Sequence, residues 1–268
     1  MKLLFKGPYF PKHKDNRMDN EGDINSARKK YFKKKPTNLQ YLLNNRYCWM
    51  NQYINGKEKV VELGSGAGFS REFINNPKLL LTDVNNTNVW IDQKVDALNM
   101  PFKSQSLDVI ICSHMIHHIA SPAFFFKEVE RVLKSNGYLL IHDTHTSLFH
   151  RIILRVMRHE GWSYKVNVFD PDFISNDPED PWSANVAIPE LLFSNPSVFH
   201  SSFPHLKILK NQLCECLIFL ISGGVTAKVK TINLPVFILS MINFIDQILI
   251  KILPSIFAFS RKVVIQKN

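Results

Sequence analysis

The sequence predicts an α/β chain built on a doubly wound, mostly parallel sheet, and three observations carry that expectation. Residues 58–145 alternate short apolar runs with segments of helical spacing, the pattern of parallel strands joined by crossover helices. The first apolar run ends in a turn with three glycines, Gly64-Ser65-Gly66-Ala67-Gly68. The second, Lys78–Thr82, ends in an acid, Asp83. Ligands of open α/β sheets collect beyond the carboxyl ends of the strands, so both features belong to one candidate site.

Taken in order, Met1–Lys35 is rich in Lys, Asn and Asp, is punctuated by Gly7-Pro8, Pro11 and Gly22, and is expected to be a loosely ordered arm. Within it Arg28-Lys29-Lys30 and Lys33-Lys34-Lys35 flank Tyr31 and Phe32, a basic-aromatic patch able to dock on phosphates. From Pro36 the texture changes. Leu39, Leu42, Leu43, Arg46, Tyr47, Met50 and Ile54 recur at helical spacing and predict a helix that packs beside the sheet and caps the site.

Val60-Val61-Glu62-Leu63 then predicts a buried strand that turns through the glycines and enters a helix near Phe69. Glycine accepts positive φ and leaves no Cβ between chain and ligand, so a nucleoside can lie against the main chain. A dinucleotide fingerprint wants a glycine where this chain has Phe69. The acid at Glu62 suits a ligand carrying an ammonium or sulfonium charge better than a pyrophosphate. The pattern Glu62-x-Gly64-x-Gly66-x-Gly68 resembles motif I of the class I S-adenosylmethionine-dependent methyltransferases.

Three later segments resemble the same family in the same order. They are Leu79–Asp83, then Asp96-Ala97-Leu98-Asn99-Met100-Pro101-Phe102, then Ser106–His114 followed by Glu128-x-x-Arg131-Val132-Leu133 and Gly137–Ile141. The resemblance covers roughly residues 58–145 and implies a seven-stranded Rossmann-like sheet with S-adenosylmethionine as cofactor. It implies that Glu62, Gly64, Ser65, Gly66 and Gly68 hold the cofactor, that Asp83 takes the ribose hydroxyls, and that Asp96 with the Ala97 amide reads the adenine. Ser113 and His114 would lie at the methionine end. One departure is a spacing of only twelve residues between Asp83 and Asp96, broken by Asn85-Asn86-Thr87-Asn88. The second helix of the family is therefore expected to be missing or reduced to a turn, with Val89–Ile91 passing under the adenine.

Histidines cluster after the fourth and fifth strands. His114, His117 and His118 would share a face if helical, but no carboxylate accompanies them in the sequence, and no metal is expected there. The resemblance matches His118 to a family histidine whose hydrogen bond fixes the loop. His142-Asp143-Thr144-His145 ends the fifth strand where substrate would approach, and a histidine near neutrality can take a hydroxyl proton. His145 is the first candidate base, with His117 and His142 as competitors. Cys214-x-Cys216 lies in an apolar run with no second pair and is not expected to bind metal.

Ser147–Arg158 predicts a helix covering the sheet, with Arg151, Arg155 and Arg158 as a basic stripe either solvated or facing an anionic substrate. Asp170–Trp182 is a long polar loop expected to act as a substrate lid. Phe203–Lys210 and Cys214–Ile221 are expected to be the last two strands.

Residues 222–268 are expected to form an apolar, basic helical extension beyond a domain of residues 58–221 and a basic arm of residues 1–57. Thr231–Ile245 is the longest run without charge, fifteen residues, short of the eighteen or so a spanning helix wants. Ser240, Asn243, Gln247 and Lys251 make a narrow polar stripe on it, with Lys228, Lys230, Arg261 and Lys262 nearby. Such a helix suits a membrane interface, with contact expected through residues 232–262; a pair folded onto the domain or onto a second copy is the alternative. Four cysteines without a framework, and no leader at Met1–Phe10, give a reducing cytoplasm as the expected location, at the inner membrane face if the tail meets lipid. The net charge is +10, carried by two basic ends around an acidic middle, and these ends fit nucleic acid, an anionic membrane surface or plain solvation.

The activity expected from the resemblance is in-line transfer of the sulfonium methyl group, with oxygen the favoured acceptor because a histidine base is at hand. The Trp49-Met50 helix, His159-Glu160, Pro181-Trp182, Ser222-Gly223-Gly224 and the apolar tail also resemble methyltransferase-domain proteins of bacterial surface-polysaccharide clusters. These imply a sugar or lipid-linked glycan acceptor. An RNA methyltransferase, a methyltransferase of quinone-like lipophiles, and a non-catalytic membrane-associated binding module are the alternatives.

Overall fold

The computed structural model describes residues 7–11, 24–85, 88–158, 160–180, 183–225, 229 and 231–268. Gly22, His159, Pro181, Trp182, Lys228 and Lys230, all singled out above, lie outside the described residues.

The centre is a seven-stranded sheet. Its strands are β1 (Val60–Leu63), β2 (Leu79–Asp83), β3 (Gln93–Lys94), β4 (Leu107–Ser113), β5 (Leu133–Thr144), β6 (Leu206–Cys214) and β7 (Ser260–Lys267). Their order is β3-β2-β1-β4-β5-β7-β6. The first five are parallel, and β7 runs antiparallel between β5 and β6. The chain reverses its direction of strand addition at β1 and β4, which leaves a crevice beyond their carboxyl ends.

Apolar side chains point alternately to the two faces, as buried parallel strands require. Val61, Leu63, Ile110, Cys112, Leu139 and Ile141 meet Phe125, Phe126, Val129 and Val132 of helix α4 (Pro122–Val132). Phe193 of α6 (Ile188–Phe193) and Phe199 of α7 (Pro196–Ser202) close that layer edge-on against Phe126. Val60, Val109, Ile111 and Leu140 face the other way, onto α2 (Thr37–Tyr47), a 3-10 turn at Cys48–Met50 and α3 (Asn51–Ile54). The cap helix thus lies where its apolar spacing predicts.

The arm is more ordered than its composition indicates. Helix α1 (Ile24–Lys34) buries Ala27 and Tyr31, and Tyr31 packs on Phe69 with ring centres 4.5 Å apart. Arg28 Nη1 donates to the Ala67 carbonyl at 2.5 Å while its guanidinium lies 4.4 Å from both the Phe32 and Trp90 rings. Tyr31, Phe32 and Arg28 thus fix a polar helix on the glycine turn.

Four further expectations are corrected. The chain enters a short 3-10 turn at Phe69–Glu72 rather than a helix. Val89 is exposed and Trp90 Nε1 donates to the Gly66 carbonyl from behind the turn, so Val89–Ile91 do not line the ligand cavity. Leu217–Ser222 is a helix, α8, not a strand. The last strand comes instead from the C-terminal stretch: β7 pairs with β5 and β6, so a boundary at 221/222 divides the sheet itself, and Arg261 is buried in it.

Between α8 and β7 lie α9 (Val236–Ile252) and α10 (Pro254–Phe257), after α5 (Leu148–Met157) earlier in the chain. The inward side of α9 buries Leu239, Asp246 and Ile250, while Ser240, Gln247 and Lys251 of the polar stripe are exposed and Asn243 is half-buried. Tyr41 donates to Ser240 at 3.3 Å, Asn45 donates to Asn243 at 3.2 Å, and buried Asp246 accepts the amides of Cys216, Leu217 and Ile218 at 2.8–3.0 Å. Among the described residues no helix is long and apolar enough to cross a membrane. Asp246→Ala is expected to leave three buried amides at the start of α8 unpaired and to cost about 2 kcal/mol of stability, readable as a lowered urea midpoint with unchanged slope.

Candidate functional site

Beyond the carboxyl ends of β1, β2 and β4 lies a cavity of about 460 Å³, within the range of small-molecule sites. The glycine turn forms one wall. Gly64, Gly66 and Gly68 all have positive φ, which explains their number. A Cβ on Gly64 would lie 2.5 Å from Met115 Cγ, and one on Gly68 would lie 2.8 Å from the Trp90 ring, so the turn is also sterically closed from behind.

Most of the residues expected to hold a cofactor line this one cavity: Gly64, Ser65, Gly66, Asp83, Asp96, Ala97, Ser113 and His114. Asp83 Oδ2 accepts the Gly66 amide at 2.9 Å, which ties the second strand to the turn. Asp96 is exposed at the rim. His114 takes φ of +52°, rare outside glycine, and its Nε2 is buried without a hydrogen-bond partner. Its basicity is driven well below the usual range, first by burial and then by the nearby Arg46 and His142 charges, so it is neutral.

Glu62 is only 1% exposed. Ser70 donates to its Oε2, while Oε1 is buried and has no hydrogen-bond partner. Burial lifts this carboxyl to about 7, against the opposing pull of the Ser70, Ser65 and Tyr47 hydroxyls. Glu62 and Gly68, also expected to hold the cofactor, are not among the residues lining the cavity, so this oxygen would meet an ammonium from behind the glycine turn.

The far wall is built from histidines, and it revises the candidate bases. His117 lines the cavity; His142 and His145 do not. His142 is fully buried with Nε2 2.9 Å from Glu215 Oε1, in a cluster where Arg46 donates to both Glu215 oxygens at 2.9 and 2.7 Å. His145 Nδ1 faces Arg261 Nη2 at 3.0 Å, and burial pushes its pKa down to about 4. Both are turned into the packing between β5 and β7, so neither reaches an acceptor. His117 Nδ1 lies 2.5 Å from Asp143 Oδ1 and Nε2 3.6 Å from Glu160 Oε2. Burial alone would lower its pKa, but these two carboxylates raise it to about 10. His117 therefore carries a proton at neutral pH and is not poised to accept one.

His118 Nδ1 meets the Ser183 carbonyl at 3.1 Å, the loop-fixing contact expected of it. Asp177, Pro178 and Asp180 of the long polar loop line the cavity mouth. The arginine stripe does not: Arg155 lies over the Tyr9 ring at 4.9 Å, and Arg151 Nε bonds the Ser147 carbonyl. Cys214 and Cys216 are free thiols outside the cavity.

Asp143, Glu160 and Glu215 are functional neighbours that sequence spacing does not reveal. Asp143 was flanked by two candidate histidines in the sequence, which was the available signal; Glu160 and Glu215 arrive only through folding.

Residues 61–141 match the family model described as a methyltransferase domain. That stretch, about a third of the chain, is similar to methyltransferase domains. The chain's sheet is similar to that of an S-adenosylmethionine-dependent methyltransferase from Archaeoglobus fulgidus, at 19% identity and a TM-score of 0.50 over 85% of this chain and 93% of that one. A second similar structure is an S-adenosylmethionine-dependent methyltransferase from Methanosarcina mazei, at 14% identity and a TM-score of 0.46 over 82% of this chain and 97% of that one. Comparison with curated proteins gives no match. The glycine cradle, with the orphaned Glu62 oxygen behind it, fits S-adenosylmethionine.

The raised Glu62 carboxyl has a consequence for binding. Between the ordinary value of 4.5 and about 7, the folded ligand-free protein holds a proton that the unfolded chain does not. That stabilisation is full below 4.5 and is lost as pH rises through 7. An ammonium ligand needs the carboxylate, so binding expels the proton. The affinity for S-adenosylhomocysteine should therefore rise with pH and level off above about 7, while Glu62→Gln should bind about tenfold or more weakly with a flatter profile. Calorimetric titration across this pH range checks both.

Proposed function

We infer that this chain methylates a hydroxyl of a sugar or lipid-linked glycan and works at the inner face of a membrane. The observation that carries the methyl-transfer part is the convergence of the glycine turn, Asp83, Asp96, Ser113 and His114 on one cavity. The cofactor, when bound, supplies a methyl group on a positively charged sulfur, already activated for displacement.

The chain's own contribution is placement. Asp83, held by the Gly66 amide, would accept the ribose hydroxyls. Asp96 and the Ala97 amide would meet the adenine edge, and Glu62 Oε1 the ammonium. Leu43, Tyr47 and Ala120 add apolar wall to the same cavity. Neutral His114 offers Nε2 as a hydrogen-bond acceptor at the methionine end. Holding acceptor and donor in line can supply much of the acceleration, so a dedicated protein base is not required for this reading.

The choice of acceptor rests on charge. Glu160, Asp177 and Asp180 stand around the acceptor end, and none of the arginines of the α5 stripe joins them. This acidic rim repels a polyanion such as RNA and offers hydrogen-bond acceptors to a hydroxyl-rich, uncharged molecule. A quinone-like lipophile would want an apolar rim. A non-catalytic module has no use for a complete cofactor constellation.

The membrane part rests on α9. With Leu239, Asp246 and Ile250 on its buried side, α9 exposes Phe237, Met241, Phe244, Ile245, Ile248 and Ile252. A contiguous apolar face on a helix too short to span fits peripheral contact with lipid. Arg261 and Lys262, expected to assist from residues 232–262, belong to β7 instead, leaving Lys251 as the exposed cation of this helix.

Two measurements test these readings. S-adenosylhomocysteine should bind the intact protein with micromolar affinity and bind Asp83→Ala at least about thirtyfold more weakly; transfer of labelled methyl to lipid-linked sugars but not to RNA then identifies the acceptor class, and no binding by intact protein overturns the reading. Vesicles of anionic phospholipid should co-sediment the intact protein, whereas Phe237→Asp with Phe244→Asp should leave it in the supernatant with S-adenosylhomocysteine affinity unchanged.

A further inference from the structure

Among the described residues, two groups of imidazole and carboxylate side chains bring ligand atoms within 4.8 Å of one another: His114 with His142 and Glu215, and His117 with His118 and Glu160. The two are not equivalent. In the first group both Glu215 oxygens already accept from the buried Arg46 guanidinium at 2.9 and 2.7 Å. A cation there would meet a compensated carboxylate and a neighbouring positive charge.

The second group is built differently. All three residues line the cavity. His117 is 2% exposed, and its Nε2 is buried, lacks a hydrogen-bond partner and faces Glu160 Oε2 at 3.6 Å. Its Nδ1 is held by Asp143 at 2.5 Å, the carboxylate–histidine arrangement that orients a metal-binding imidazole, and an ion at Nε2 takes the place of the second proton that the ion-free ring carries, which passes to water. His118 is held the same way, through Nδ1 by the Ser183 carbonyl at 3.1 Å, which puts the lone pair of its neutral ring on the other nitrogen. The backbone that delivers Glu160 is pinned too. Tyr9 and Trp162 exchange amide bonds of 2.9 and 2.7 Å, and a Cβ at Gly161 would lie 2.4 Å from the Tyr9 carbonyl oxygen.

We propose that His117, His118 and Glu160 bind a divalent transition-metal ion at the acceptor end of the cavity. Two imidazoles and one carboxylate suit cobalt, zinc, manganese or iron rather than magnesium or calcium, which prefer oxygen shells. Asp143 is the outer carboxylate that orients His117. The open coordination positions face the cavity, where the ion takes an acceptor hydroxyl oxygen as ligand and loosens its proton, which passes to water. This last role rests on the methyl-transfer reading; the metal site itself does not.

The test strips full-length protein with a chelator and titrates it with Co²⁺, read by calorimetry and visible absorption. One equivalent should bind with micromolar or tighter affinity, and X-ray absorption at the cobalt edge should show two imidazole nitrogens. His118→Ala and Glu160→Gln should each lose at least about tenfold in affinity, and Asp143→Asn about tenfold, while Asp83→Ala binds Co²⁺ as before. Absence of stoichiometric binding, binding that survives both ligand substitutions, or an edge spectrum without imidazole overturns the proposal. S-adenosylhomocysteine titration of the same stripped sample separates the two readings. Cofactor binding without cobalt binding removes the metal site alone, and cobalt binding without cofactor binding removes methyl transfer alone.

Discussion

One buried carboxylate organises the far wall of the site. Asp143, at the end of β5, is fully buried and accepts four donors: the amides of Met115 and Ile116 at 3.1 and 2.8 Å, the Thr144 amide at 2.7 Å, and His117 Nδ1 at 2.5 Å. Burial would push its pKa up; the His117 charge and these bonds hold it well below the usual range instead. An ionised carboxylate without water is tolerated only when it is fully bonded. The loop after β4 therefore cannot relax without stranding a charge, and the conformation of His114 at positive φ follows from that tether, since the His114 amide also bonds the His142 carbonyl at 2.7 Å.

A second buried charge system, Arg46 with Glu215, His142 and Ser260, works on the other side of the same strand. It joins the cap helix α2 to the segment between β6 and α8 and to the start of β7. The two systems have different consequences. Around Glu215 the charges cancel internally, so the cluster is a clamp between elements distant in sequence. Around His117, Asp143 and Glu160 flank one imidazole, and Glu160, His117 and His118 line the cavity.

These differences explain what was legible in the sequence. Glu62, the glycines, Asp83 and Asp96 lie within forty residues, and their spacing along strand and turn is fixed by local geometry. Their convergence could therefore be anticipated. The order imposed on α1 by Tyr31 and Arg28 could not, because composition reports the average polarity of a segment and not two specific contacts. Likewise β7 was hidden: Ser260–Lys267 is flanked by apolar helix and alternates weakly, and its place between β5 and β6 is decided by tertiary pairing that no local pattern encodes. The base assignment erred for a related reason. A histidine at a strand's carboxyl end points either to the crevice or into the packing, and the position of β7 sent His142 and His145 into the packing.

The same late strand gives meaning to α9. Because β7 must return between β5 and β6, the helix before it is held within its length by Asp246 on the amides of α8 and at its end by α10 leading towards Ser260. Leu239 and Ile250 pack inward into the two neighbouring clusters, as a helix on a domain surface requires. Buried Asp246 on the amides of α8 and the bonds of Ser240 and Asn243 to α2 fix the rotation of the helix about its own axis. That rotation leaves a second apolar side, from Phe237 to Ile252, exposed. Phe237, Met241 and Phe244, exposed on the outer side of α9, are the residues that the proposed membrane contact would use.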